Sequence, residues 1–195
     1  DSAYTYEHAQ TYQADIYDYL QRTDTQYDVI LLDLPGAKTD DLLSVYSTQF
    51  YRLLGDSLTE TGVIATWGYS QYTYPSHQKA YFNTVSAAGF TQYQSYYAYD
   101  DYNGNDQTVR GERFYLFAPD TSRPIITPAN GTQYVKTYRT QYEPKQWHSI
   151  PTYRGVRPNT LFNPNYEILI DTQRKQAPVS DRFERLRNMT MSDLI

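Results

Sequence analysis

At 195 residues, with a net charge of −5 and no cysteine, the chain is long enough for one domain with a real core and needs no disulfide to hold it. The charge disfavours a general nucleic-acid binder, which needs a basic face, and the lack of thiols removes cysteine nucleophiles and thiolate metal sites together. No apolar run approaches the roughly 20 residues of a membrane span and no basic-then-apolar leader opens the chain, so a soluble chain without a membrane span is expected.

Residues 4–10, YTYEHAQ, read as a short strand. Ala14 and Asp15 then lead into IYDYLQR, where Ile16, Tyr19 and Leu20 share one helical face and Asp15 is placed as N-cap. The strand from Tyr27 to Leu34 follows. Its successive Val29, Ile30, Leu31 and Leu32 have the pattern of a parallel strand covered on both faces. The apolar run breaks at Asp33, and ligands bind outside the carboxyl ends of strands in an open α/β sheet, so Asp33 is a site candidate; the alternative is an acid that braces the loop. After Pro35-Gly36-Ala37-Lys38, Thr39 or Asp40 is placed to cap one helix carrying Leu42, Leu43, Val45, Tyr46, Phe50, Leu53 and Leu54.

Thr61-Gly62 reads as a turn, Val63 to Trp67 as a third strand, GYSQYTYPS as a loop, and His77 to Ala88 as a helix stopped by Gly89. Phe90 to Tyr99 and Glu112 to Ala118 form an expected antiparallel pair around the polar turn DDYNGND. Strand and helix alternate up to about residue 90 and then two strands pair, which predicts α/β with a mixed edge. From Pro119 onward periodicity fades and Pro, Thr and Asn rise. The expected division is an α/β unit over residues 1–118 and an irregular extension, 119–195, packed on it. Within the extension, Gln133 to Tyr142 reads as a short helix, residues 159–170 as a loop entering a strand, and Asp181 to Arg187 as one or two helical turns.

The 23 tyrosines suit strands and half-buried surfaces, since each ring joins a large apolar face to a polar tip. His8, His77 and His148 lack the paired spacing of a metal site, so no metal is expected. Asp101, Asn103 and Asn105 alternate as in a calcium loop, but Asp106 stands where glycine is needed, and a polar hairpin turn is the better reading. Ser70, Ser76 and Ser86 lack a nucleophile-elbow context. Asn130-Gly-Thr132 and Asn188-Met-Thr190 are glycosylation sequons. Sugars there would exclude a cytoplasmic enzyme; the cytoplasm is the expected location, with an extracellular one left open.

Five blocks in order, YDVILLDLP, VYSTQFYRLL, TGVIATW, TVSAAGF and PNTLFNPNYEIL, resemble the C-terminal half of the spermidine synthase (polyamine aminopropyltransferase) family. The resemblance runs from about residue 4 to 118, with the last block downstream. It implies a Rossmann-like methyltransferase fold of spermidine synthase type, here lacking the N-terminal strands of the sheet. It also implies a cosubstrate, decarboxylated S-adenosylmethionine (or S-adenosylmethionine itself), with no tightly bound cofactor, and a small-molecule amine as acceptor.

Asp33 matches the family's catalytic acid, which takes the proton of the attacking amine. Ala14-Asp15 looks like the element whose acid holds the adenine amino group, and Leu34 and Pro35 would lie against the adenine ring. Gly36 stands where the second acid of the family's D-x-x-D falls, and Trp67 where a polyamine-holding glutamine is usual. Both departures fall on the acceptor side. Trp67, Tyr69, Tyr97 and Tyr99 could hold a cation by their ring faces instead, strand packing being the alternative.

The family's glycine-rich nucleotide turn and ribose-binding acid have no match within residues 1–195. The expectation is therefore a missing N-terminal half supplied in cis or in trans, or a rearranged sheet, with a homo-oligomer expected because an unpaired buried strand invites assembly. Three functions follow: an aminopropyltransferase domain, a catalytically degenerate structural or assembly subunit, or an S-adenosylmethionine-dependent methyltransferase on the same fold.

Overall fold

A computed structural model describes residues 9–68, 74–100, 110–119 and 147–170, with backbone alone at 96–100 and 110–113. The first helix, α1 (Ile16–Arg22), starts where the Asp15 carboxylate accepts the amides of Tyr17 at 2.8 Å and Asp18 at 3.3 Å, and it turns Leu20 inward. Strand β1 (Tyr27–Leu32) follows, then a 3-10 helix (Asp40–Tyr46), helix α2 (Thr48–Asp56) and strand β2 (Leu58–Gly68). Helix α3 (Pro75–Ala87) carries Pro at its first position, where no amide partner is lost. It ends before Gly89, whose φ of 109° is the left-handed conformation that side-chain-bearing residues avoid. The hairpin β3 (Gln92–Asp100) and β4 (Arg110–Ala118), the two-residue β5 (His148–Ser149) and a second 3-10 helix (Tyr166–Ile168) complete the described elements.

The sheet has five strands in the order β1-β2-β4-β3-β5. β1 and β2 are parallel, and the other pairings are antiparallel. This is a mixed α/β fold with an open sheet, compatible with a Rossmann-like fold lacking some of its strands. The expected hairpin between β3 and β4 is present, with Tyr93 opposite Phe117 and Ser95 opposite Tyr115. Among the described residues no helix is long and apolar enough to cross a membrane.

Helices and sheet enclose one core. Leu32, Ile64, Tyr115 and Phe117 point from the sheet into a cluster with Leu20, Phe50, Leu54, Tyr81, Phe82 and Val85 from the helices. The side chains of Phe50, Leu54 and Phe117 are wholly buried, each stabilising the fold by roughly 2 kcal/mol relative to exposure. Tyrosines fill much of this core, and their hydroxyls pair inside it: Tyr51 and Tyr81 meet at 2.7 Å. Burial pushes both phenols well above their usual range, so they remain neutral.

Several sequence expectations are corrected. The single helix foreseen from Thr39 to Leu54 is two elements, because Ser47 interrupts it with an extended backbone and caps α2 by accepting the Phe50 amide at 3.2 Å. Thr39 precedes the 3-10 helix without a side-chain capping bond. Tyr166–Ile168 is a 3-10 helix and Leu169 and Ile170 belong to no strand; the Asn165 side chain accepts the Glu167 amide at 3.1 Å and starts that helix. Ala9 and Gln10 belong to no strand, and the rest of the strand foreseen at 4–10 lies outside the described residues, as do the helices foreseen at 133–142 and 181–187.

Two corrections bear on β1 and β2. The turn expected at Thr61-Gly62 is a register shift inside β2: Tyr27 pairs with Leu58 but Val29 with Val63. Gly62 sits so close that a Cβ would lie 2.5 Å from the Tyr27 carbonyl oxygen. Strand β1 is also not covered on both faces, since Val29 is 55% and Leu31 72% exposed. Leu20, Phe50, Tyr81 and Val85, from the three helices, all join Leu32 and Ile64 on the opposite face, which leaves the Val29–Leu31 face bare on the β1 side.

Candidate functional site

The parallel pair sets the site. β1 and β2 run side by side through Leu32↔Thr66, so the chain leaving β1 at Asp33 lies next to Trp67 at the end of β2. The antiparallel register then brings Phe114 of β4 opposite Trp67. These residues border an open cavity of about 630 Å³ lined by Leu31, Leu32, Asp33, Leu34, Pro35, Trp67 and Phe114. That volume lies within the ordinary range of small-molecule sites, roughly 300–1,000 Å³.

Among the described lining residues, Asp33 has the one charged side chain and the others are apolar or aromatic. Asp33 is exposed, and no hydrogen bond or ion pair to another described residue engages its side chain. Leu34 and Trp67 are half-buried, whereas Pro35 is exposed at the rim. Such a site can take a cation with an apolar body: the carboxylate attracts the charge and can accept a proton from it, while the rings and Leu side chains offer apolar surface to the rest of the molecule. Among the described residues no group of three His, Asp or Glu side chains is placed to hold a metal ion.

Four residues singled out in the sequence, Asp33, Leu34, Pro35 and Trp67, thus line one cavity. Ala14 and Asp15 do not border it; both are exposed at the start of α1, where Asp15 is engaged in capping the helix. Tyr69 lies outside the described residues, and so do the side chains of Tyr97 and Tyr99, whose backbones pair with Arg113 and Gly111 in the hairpin. Sequence reasoning missed Leu31, Leu32 and Phe114. Phe114 to Phe117 are four large side chains in succession, so the sequence does not say which face each takes, and only the pairing Trp67↔Phe114 tells which of them meets the end of β1.

The loop after Asp33 is fixed from within. The Tyr46 hydroxyl donates to the Pro35 carbonyl at 2.8 Å, and the Ile170 amide donates to the Ala37 carbonyl at 2.8 Å. Behind Tyr46 lies His77, 4% exposed, with ring centroids 6.3 Å apart and edge-on. Its Nδ1 bonds the Ile168 carbonyl, so Nδ1 carries the proton. Burial lowers the His77 pKa to about 4 against the opposing pull of that carbonyl, and the ring is neutral near pH 7.

No family model matches the sequence. A curated relative, Polyamine aminopropyltransferase 1 of Streptomyces coelicolor (strain ATCC BAA-471 / A3(2) / M145), is 26% identical over 159 residues, a match covering 80% of this chain and 28% of that protein. The chain therefore spans less than a third of the length of the relative it matches. It is distantly similar to a polyamine aminopropyltransferase.

Proposed function

We propose that this chain carries the acceptor side of a spermidine synthase-like aminopropyl transfer, with Asp33 as the proton acceptor. The observation that carries the reading is the convergence of Asp33, Leu34, Pro35 and Trp67 on one apolar cavity at the end of the parallel pair; the distant similarity to an aminopropyltransferase supports it.

In this reading the Asp33 carboxylate draws in the ammonium of a polyamine or related amine and takes its proton. The freed nitrogen pair forms a C–N bond to the propyl carbon of decarboxylated S-adenosylmethionine. The C–S bond breaks, its electrons neutralise the sulfonium, and methylthioadenosine leaves as a neutral thioether. Leu34 and Pro35 supply a flat apolar wall for the purine, and Trp67 with Phe114 offers ring faces to the cationic acceptor. Ala14 and Asp15 contribute to the nucleotide only if the adenine extends beyond the cavity toward α1; Asp15 would then have to keep its capping bonds while accepting from the adenine. A nucleotide-binding segment beyond these residues, in cis or in trans, completes the cosubstrate site.

Calorimetry on the full-length natural polypeptide with methylthioadenosine tests this. Saturable binding is expected, and Asp33→Asn should keep that binding while losing about 10²- to 10⁴-fold of propyl transfer to a diamine, the usual contribution of a positioned base. No nucleotide binding by the natural protein would overturn the reading. Transfer of a methyl instead of a propyl group, seen with labelled donor, would replace it with a methyltransferase.

A second reading has its own observation: the exposed Val29 and Leu31 on β1 suit a structural or assembly subunit, in which this strand is a contact surface, including between copies. Nucleotide binding without any transfer, together with concentration-dependent assembly, is the result that favours it.

A further inference from the structure

The stretch from Pro35 to Ala37 leaves the strand end with no regular secondary structure of its own, yet Gly36 and Ala37 are buried and Ala37 is wholly inaccessible. Its place is fixed by donors from elsewhere in the chain. Tyr46 Oη reaches the carbonyl two residues after Asp33, and the Ile170 amide reaches the carbonyl four residues after it, each at 2.8 Å. The two donors share a support. Tyr46 packs edge-on against His77, and His77 Nδ1–H donates to the carbonyl of Ile168, two residues before Ile170. Ile168 and Ile170 are both buried, so this support is part of the core.

We propose that Tyr46 and the strap Ile168–Ile170 are positioning elements of the candidate site, joined through His77, and that they hold Asp33 and the Leu34–Pro35 wall in one geometry toward the cavity. The kinetic part of this inference rests on the reading of Asp33 as proton acceptor; the structural part does not. The physical reason is that each donor fixes one carbonyl of this irregular stretch, the Ala37 one inside the core and the Pro35 one at its edge, and losing a donor frees the chain immediately after Asp33 to shift. A displacement of even about 1 Å at a reacting group is enough to cut turnover severely.

Tyr46→Phe removes one hydroxyl and keeps the ring against His77. Hydrogen exchange of the Ile170 amide, followed by mass spectrometry on the full-length protein, reports directly on the second grip. If both grips hold one loop, Ile170 exchange rises about tenfold in Tyr46→Phe, the scale set by one net hydrogen bond, while exchange within Val29–Leu32 is unchanged. The same variant should lower kcat about tenfold, with any rise in KM for the amine smaller than that fall, because proton transfer to Asp33 depends on its position more steeply than its attraction for the ammonium does. Ile170→Val, which retains the amide, is expected to match the natural protein in both measurements, and Ile170→Pro, which lacks it, to match Tyr46→Phe in kcat.

Unchanged Ile170 exchange in folded Tyr46→Phe would overturn the strap. So would a loss confined to KM. If the natural protein shows neither nucleotide binding nor transfer, the aminopropyltransferase reading fails, and the exchange measurement still decides the strap. If Ile170→Pro does not fold, Tyr46→Phe carries the test by itself.

Discussion

The carbonyl of Asn159 accepts both the amide and the side-chain hydroxyl of Thr48, at 2.9 and 3.0 Å, across 111 positions of sequence. The rest of Asn159 is equally committed. Its amide nitrogen Nδ2 donates to the carbonyls of Leu43 at 2.7 Å and Tyr46 at 3.0 Å, its Oδ1 accepts the Asn165 amide at 2.9 Å, and its own backbone amide donates to Thr84 Oγ1 at 2.8 Å. One wholly buried residue thus ties the 3-10 helix, α2 and α3 to the segment that ends in the strap. Asn159→Ala leaves two carbonyls and one amide in the interior without their side-chain partner, and a loss of about 3 kcal/mol is expected, at roughly 1 kcal/mol for each. Urea unfolding measures it. A loss below about 1 kcal/mol would mean that water replaces the side chain and that the hub is not needed for cohesion.

His77 predicts an acid-sensitive stability with a definite sign. Its folded pKa, about 4, lies below the unfolded value of 6.5, so between those values the unfolded chain takes up a proton that the native ring refuses. The contribution is therefore complete above about pH 6.5 and is lost as pH falls, by about 3 kcal/mol on reaching pH 4. Carboxylates titrate in the same window, so the check is a difference: urea midpoints of the natural protein and of His77→Gln from pH 7 to pH 4.5. The natural protein should show the steeper fall. Parallel curves would place the acid sensitivity elsewhere.

Tyr51 and Tyr81 form a buried hydroxyl pair, and each is the other's partner. Removing one hydroxyl leaves the second without that bond, at a cost of about 1–2 kcal/mol for Tyr51→Phe or Tyr81→Phe. The double replacement removes both polar groups together and should cost less than the sum, which a double-mutant cycle measures as coupling. Burial raises both phenols far above the usual range, so in alkaline difference spectra these two should ionise only when the chain unfolds. Strictly additive costs would show that the hydroxyls do not interact in solution.

Leu31 gives a prediction about solubility rather than folding. It is 72% exposed on the bare face of β1, so Leu31→Lys should change stability by less than about 0.5 kcal/mol. The same change puts a charge on an apolar edge strand and should reduce any concentration-dependent association, read by light scattering at increasing protein concentration. An unfolded Leu31→Lys protein would show instead that this face is covered in solution.

Much of the layout was legible in the sequence because it rests on local rules. The apolar run Val29–Leu32, the stop at Gly89 and the alternation from Phe90 to Tyr99 each predicted an element that is present. Asp33 was marked by the end of a strand, and Leu34, Pro35 and Trp67 by the resemblance to the aminopropyltransferases; the four share a cavity.

What the sequence concealed depends on contacts between distant segments. Ser47 reads as one polar residue inside a helical pattern, yet its hydroxyl caps α2, and the adjoining Thr48 bonds Asn159, so the helix breaks there. Residues 159–170 read as a loop entering a strand; instead Asn165 caps a 3-10 helix over Tyr166–Ile168, the Ile168 carbonyl accepts from His77, and the Ile170 amide donates to the Ala37 carbonyl. The bare face of β1 was hidden for a related reason: a run of four apolar residues states that both sides of a strand are hydrophobic and not what lies against either.

The two edges of the sheet are unequal. At one side, among the described residues, β3 is covered at its start by two residues, through Gln92↔Ser149 and Tyr93↔His148. At the other, β1 shows an apolar parallel strand with no described strand on its outer side. Among the described residues the β3 edge is therefore covered only at its start, whereas the β1 edge is uncovered along its whole length. A strand joining at the β1 edge would run beside the residues that deliver Asp33, so enlarging this sheet and shaping its cavity are one structural event.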